Sequence, residues 1–115
     1  MKTNDKILLL DRLSVCYNRV NYLIALCKEQ ALTDEANRLG RRKERLKLEI
    51  DGLLRDLYAN WVGDAKALKV KLETSNQSMD EAIKEIERQI KVAENIVRAT
   101  GYIDGVIKVA IDLVK

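Results

Sequence analysis

Between residues 9 and 27 the apolar side chains fall at Leu9, Leu13, Cys16, Val20, Leu23 and Cys27, in alternating steps of four and three. This spacing returns to one face of an α-helix at each turn; a strand, whose side chains alternate, cannot use it. No other feature limits the fold as strongly. Leu10, Tyr17, Ile24 and Ala31 widen the stripe by one residue. A stripe this broad suits a helical bundle better than the narrow seam of a two-stranded coiled coil. Thr3-Asn4-Asp5 supplies N-cap residues ahead of it, so the spacing predicts a helix over about 5–30.

The pattern then repeats. Thr33 is a second N-cap, with Asp34 and Glu35 in the first turn, where acids complement the helix dipole. Leu39, Leu46, Ile50, Leu53 and Leu57, followed by Tyr58 or Trp61, extend a seam over 34–60. Asn60-Trp61-Val62-Gly63-Asp64 reads as a turn, in which Gly63 takes a left-handed conformation and Asp64 caps the next helix. Ala65, Leu68, Leu72, Met79, Ile83, Ile86, Ile90, Ala93 and Val97 predict a third helix over 64–99. The polar stretch Thr74-Ser75-Asn76-Gln77-Ser78, with Glu81 completing a capping box, is the place where that helix would break, but the seam passes through it in register, which favours one long helix with a polar layer. Thr100-Gly101 ends it, and the very apolar tail forms a short helix over 102–114.

The expected fold is therefore all-α. One domain spans 1–115: an antiparallel bundle of three long helices, 5–30, 34–60 and 64–99, the third either continuous or broken near 74–78, plus the short apolar helix at 102–114. The chain has no Pro and only five Gly in 115 residues, so it lacks the punctuation of a many-stranded β fold. Its 34% charged residues fit the solvated faces of long helices. An unbroken third helix of about 54 Å would overhang partners of about 40 Å. That overhang, with so apolar a tail, predicts a homodimer or a complex with a protein partner.

Composition also bears on chemistry. With no His, the chain cannot hold a Ser-His-Asp or Cys-His arrangement, an HExxH zinc site or a histidine-ligated haem. Cys16 and Cys27 lie eleven residues apart on one predicted helix. The rise places them about 16 Å apart, beyond the reach of a disulfide. They read as small buried hydrophobes. The carboxylate pairs Glu49 with Asp51, Asp80 with Glu81, and Glu85 with Glu87 read as solvated faces. No enzyme, cofactor or metal site is expected.

Arg38, Arg41, Arg42, Lys43, Arg45 and Lys47 form the densest charge run, interrupted by a single acid, Glu44. Nucleic-acid binding through these six is the alternative function. Against it, six charges over ten helical residues spread around the circumference, with no stacking aromatic nearby. Gly101 and Gly105 form a G-x-x-x-G spacing that reads as close packing or a helix boundary. A membrane contact is conceivable only through the apolar helix 102–114. Asp11 and Arg12 interrupt the apolar run Ile7 to Leu10, so no signal peptide is read. The expected location is the cytoplasm, or outside the cell after export without a cleaved signal.

Trp61-Val62-Gly63, set in a turn between two amphipathic helical segments, resembles the W-x-G family of small helical-hairpin proteins exported by type VII secretion systems. The resemblance covers about 40–100 and includes the helix beginning at Asp64-Ala65. It implies a hairpin with Trp61 and Gly63 in its turn, paired with a second chain into a four-helix bundle. The family's C-terminal Tyr-x-x-x-Asp/Glu export motif is missing, because Val106 stands fourth after Tyr102. The expected function is a non-enzymatic helical interaction protein: secretion-associated protein, adaptor, chaperone or small inhibitor. The expected partner-binding residues are Trp61, Gly63, Tyr102, Ile103, Val106, Ile107, Ala110 and Leu113.

Overall fold

The computed structural model describes residues 1–114. They form four helices: α1 (Thr3–Glu29), α2 (Thr33–Arg55), α3 (Ala65–Glu87) and α4 (Val92–Asp112). α1 packs against α2 and α3, and α4 packs against α3 and α2, so the helices occupy the corners of a square. Short turns make α1–α2 and α3–α4 antiparallel hairpins. Between the hairpins the direction is shared. Arg12 meets Glu73, Cys16 meets Met79 and Arg19 meets Asp80, a pairing in which both numbers rise together. The connection 56–64 therefore crosses the diagonal of the square. The molecule measures 43 × 22 × 17 Å, and its long dimension is that of one helix of α1's length.

The first heptad seam is the heart of the core. Leu9, Leu13, Cys16, Val20, Leu23 and Cys27 are all fully buried. Leu39, Leu46 and Leu53 from α2, Leu72, Met79 and Ile86 from α3, and Ile103, Val106 and Ala110 from α4 close around them. At roughly 25 cal/mol per Å² of apolar surface removed from water, this shared core dominates the stability.

The expectation of three long helices and a short fourth is corrected. The structure has four long helices of 21 to 27 residues. α2 stops at Arg55 rather than near 60. The third helix ends at Glu87, not 99; through 74–78 it is continuous, as the in-register seam there favours. That polar stretch lies inside α3, where Asn76 is buried and its Nδ2 donates to the Arg12 carbonyl at 3.2 Å. Thr100 and Gly101 sit within α4, and the apolar segment from Tyr102 is the second half of that helix.

The physical reason is a slip of one residue in the seam. Met79, Ile83 and Ile86 are buried on α3, and Ile90, Ala93 and Val97 would continue their rhythm. All three are instead exposed. The seam of α4 runs Val92, Ile96, Ala99, Ile103, Val106, Ala110, one residue earlier. The turn 88–91 absorbs the slip with two left-handed residues, Gln89 (φ 59) and Lys91 (φ 42). The Ile90 N–H closes α3 by donating to the Glu85 carbonyl at 2.9 Å. The α1–α2 turn is built the same way, with Ala31 at φ 60 and the Leu32 N–H donating to the Cys27 carbonyl at 2.8 Å.

With four helices in one chain, the apolar stripes that had suggested a covering partner are buried against one another. No helix among the described residues is long and apolar enough to cross a membrane.

Candidate functional site

The end of the bundle where α1 and α3 begin and α2 and α4 finish carries the diagonal connection. After Arg55 the chain makes one turn, with the Ala59 N–H donating to the Asp56 carbonyl at 2.9 Å. Trp61 then folds inward and is only 2% exposed. Its Nε1 donates to the Asp56 carbonyl at 3.1 Å, which satisfies the one polar atom of a large buried ring. Gly63 adopts φ +105, and a Cβ there would lie 2.9 Å from Leu68 Cδ1. Both the left-handed backbone and the close approach call for glycine. Asp64 caps α3 as the sequence predicted, its carboxylate accepting from the Ala67 N–H at 3.1 Å.

Two further ties fix this connection. Lys6 of α1 is buried, and its Nζ donates to the carbonyls of Leu57 at 2.8 Å and Ala59 at 2.6 Å. The same ammonium lies 5.6 Å from the centre of the Trp61 ring, a cation–π distance. The Val62 N–H donates to the Leu113 carbonyl at 2.8 Å, joining the loop to the end of α4. Lys6 was not singled out from sequence, although a signal existed. It stands seven residues before Leu13, in the same heptad position as Leu13, Val20 and Cys27. A lysine on a core seam implies a polar partner at the bundle's end.

Around this braced loop lie apolar side chains that the fold leaves in water. Tyr58 is 92% exposed, and Ile7, Leu54 and Val62 are exposed at the same end. An open groove of about 830 Å³ is at the opposite end, lined by Tyr22, Leu26, Gln30, Leu32 and Glu87.

The expected partner-binding residues are placed differently from one another. Trp61, Ile103, Val106, Ile107, Ala110 and Leu113 are buried in the core of this one chain, and a partner reaches them only if the bundle opens. Gly63 is exposed in the loop. Tyr102 is half-buried, and hydrogen bonding from Arg98 and then from Ser78 holds its hydroxyl below the ordinary tyrosine pKa.

The basic run is dispersed. Arg38 pairs with Glu35, Arg45 with Glu49 and Lys47 with Asp51, each along α2. Arg42 reaches Asp104 of α4 at 2.9 Å. Lys43 turns the other way, over the Tyr17 ring of α1. Arg41 is exposed, with no ion pair among the described residues. No single basic stripe results. Of the carboxylate pairs, Glu49, Asp51 and Asp80 are taken up by Arg45, Lys47 and Arg19. No cluster of three His, Cys, Asp or Glu suited to a metal occurs among the described residues.

Cys16 and Cys27 are free and buried. Burial pushes the Cys16 thiol up to about 12, against a small opposing effect of Arg19. Its Sγ lies 3.8 Å from Met79 Sδ.

Comparison with known proteins gives no relative: no family model, no curated protein and no solved structure matches the chain.

Proposed function

We propose that the chain is a non-enzymatic helical interaction protein that docks a protein partner on the loop end of its bundle. The observation that supports this reading is the exposure of Tyr58, with Ile7, Leu54 and Val62, around a connection whose backbone is tied down. A tyrosine standing in water gains by burying its ring against a partner. Tyrosine is also prominent among the residues that carry binding energy at interfaces. Because Lys6 and Trp61 fix the loop beforehand, little conformational entropy is lost on docking.

The resemblance of Trp61-Val62-Gly63 to the W-x-G proteins favours a secretion-associated adaptor within this class. Where that resemblance implies a hairpin completed by a second chain, all four helices here come from one. The partner is then an external protein rather than a missing half. The ion pairs that take up most of the basic run favour a solvated helix face there over a phosphate contact.

The test is a photo-crosslinking residue at position 58, in cells that make the protein, with position 18 as a control on another face. The expected result is a discrete adduct from position 58, absent from position 18 and lost when Leu54 and Val62 are both changed to Ser. Equal labelling from the two positions, or none from 58, overturns the proposal. Thermal stability of the Leu54→Ser/Val62→Ser chain should be nearly unchanged, because both side chains are exposed already.

A further inference from the structure

We propose that the outward face of α4 is a contact between two copies of this chain, packed antiparallel about a two-fold axis at Gly101.

α4 turns Ile96, Ala99, Ile103, Val106 and Ala110 inward. At about 100° per residue, Glu94 and Lys108 lie within about 20° of Gly101 on the opposite side, and Val97 and Gly105 within about 40°. These five residues are all exposed and form one face. Val97 is 71% exposed in the middle of a helix. A Cβ built at Gly101 or Gly105 meets nothing within 4 Å. Packing within the chain therefore does not call for glycine at either position, although each weakens the helix by about 1 kcal/mol relative to Ala. A second helix backbone lying close on this face would explain both, since a close backbone approach leaves no room for a Cβ.

Charge identifies the occupant. Glu94 stands seven residues before Gly101 and Lys108 seven after it, and neither has an ion pair among the described residues. With the two-fold axis at Gly101, each residue faces the one equally far on the other side, from the second copy. Glu94 then meets Lys108 of the other copy, and by symmetry this happens twice. Val97, four residues before, meets Gly105, four residues after, so an exposed valine fills the space above a glycine. Two competing arrangements oppose like charges. A parallel pair sets Glu94 on Glu94 and Lys108 on Lys108. An axis moved to Ile103, midway between the glycines, sets Arg98 against Lys108. The pattern thus disfavours competing registers as well as favouring one. A single helix face is at the small end of stable interfaces, so the dimer is a weak, reversible one.

The test is sedimentation equilibrium of the full chain from about 1 µM to about 1 mM. The wild-type chain is expected to pass from monomer to dimer in this range. Gly101→Leu should weaken association by about tenfold or more while leaving the monomer as helical as before and somewhat more heat-stable, because its side chain enters open space and removes a helix-weakening glycine. Glu94→Lys and Lys108→Glu should each weaken it about threefold or more, and the double exchange should return it to within about twofold of wild type. Tyr58→Ser should leave the dimer intact. A chain that stays monomeric throughout, a dimer that survives Gly101→Leu, a double exchange without recovery, or a dimer lost with Tyr58→Ser would each overturn the proposal.

Discussion

Lys6 illustrates how one side chain decides the geometry of a whole end of the bundle. Its ammonium serves two carbonyls of the turn that follows α2, and it stands over the tryptophan that plugs that end. Charge-assisted hydrogen bonds of this kind contribute roughly 1.5–3 kcal/mol each before the desolvation of the ammonium is counted. Lys6→Met keeps the aliphatic stem and removes the donor, so the Leu57 and Ala59 carbonyls lose their partner. Urea unfolding should show a loss of about 2 kcal/mol, with Trp61 fluorescence shifted to the red in the native state. A native spectrum identical to wild type, with unchanged stability, would show that the latch holds nothing.

Cys16 carries the second expectation at this scale. Burial raises its thiol from an ordinary value of 9.0 to about 12. The unfolded chain therefore gives up this proton while the folded chain keeps it. The associated stability is complete below about pH 9 and is lost as the pH climbs toward 12. Cys16→Ala, weakened at neutral pH by the cavity it leaves, should lose less stability than wild type between those limits. In the folded protein the buried thiol should also resist a thiol reagent until denaturant is added.

Among the helices, α1 was legible to within two residues at its start and one at its end, because its seam is unbroken and Thr33 announces the next helix. The Asp64 cap and the left-handed Gly63 were legible for the same reason, since each uses the residue type its conformation favours. The α3–α4 turn was not. It takes its left-handed positions with Gln89 and Lys91, and Ile90, Ala93 and Val97 counterfeit the continuing seam. Continuity through 74–78 was legible in the in-register seam, although the capping-box pattern at Ser78 offered a break there. At the loop end, the Trp61 turn was legible, but the exposed Tyr58 beside it and the Lys6 latch depend on which residues meet across more than fifty positions of sequence.

The same turn yields a test with opposite signs for the two structures. Gln89 in a left-handed conformation carries a steric cost that glycine lacks. Gln89→Gly should therefore stabilise the fold by about 0.5–1 kcal/mol, after the added freedom of the unfolded chain is subtracted. In a helix running unbroken from 64 to 99, the same change would destabilise by about 1 kcal/mol. Thermal melts of the two chains decide between them, and a lowered melting temperature would argue against the observed turn.

For the molecule as a whole, the decisive property is that neither hairpin encloses its own core. Leu13 and Cys16 of α1 are fully buried with α3 against them, and Ile103 and Val106 of α4 are buried with α2 and α3 on either side. A two-helix hairpin covers only one side of each seam and leaves the rest in water, and isolated helices of this length are marginal. Among the described residues three ion pairs span the hairpins: Arg12–Glu73, Arg19–Asp80 and Arg42–Asp104. They are part-exposed and screened by solvent, so the hydrophobic core rather than charge joins the halves. Residues 1–59 and 60–115, made as separate peptides, should each show weak helicity by circular dichroism. Mixed at equal concentration, they should recover helicity and a cooperative melt, with the midpoint rising with concentration because association is now bimolecular. Strong, cooperatively melting helix in either half alone would mean that the hairpin is an independent unit, and the one-core description would then fail.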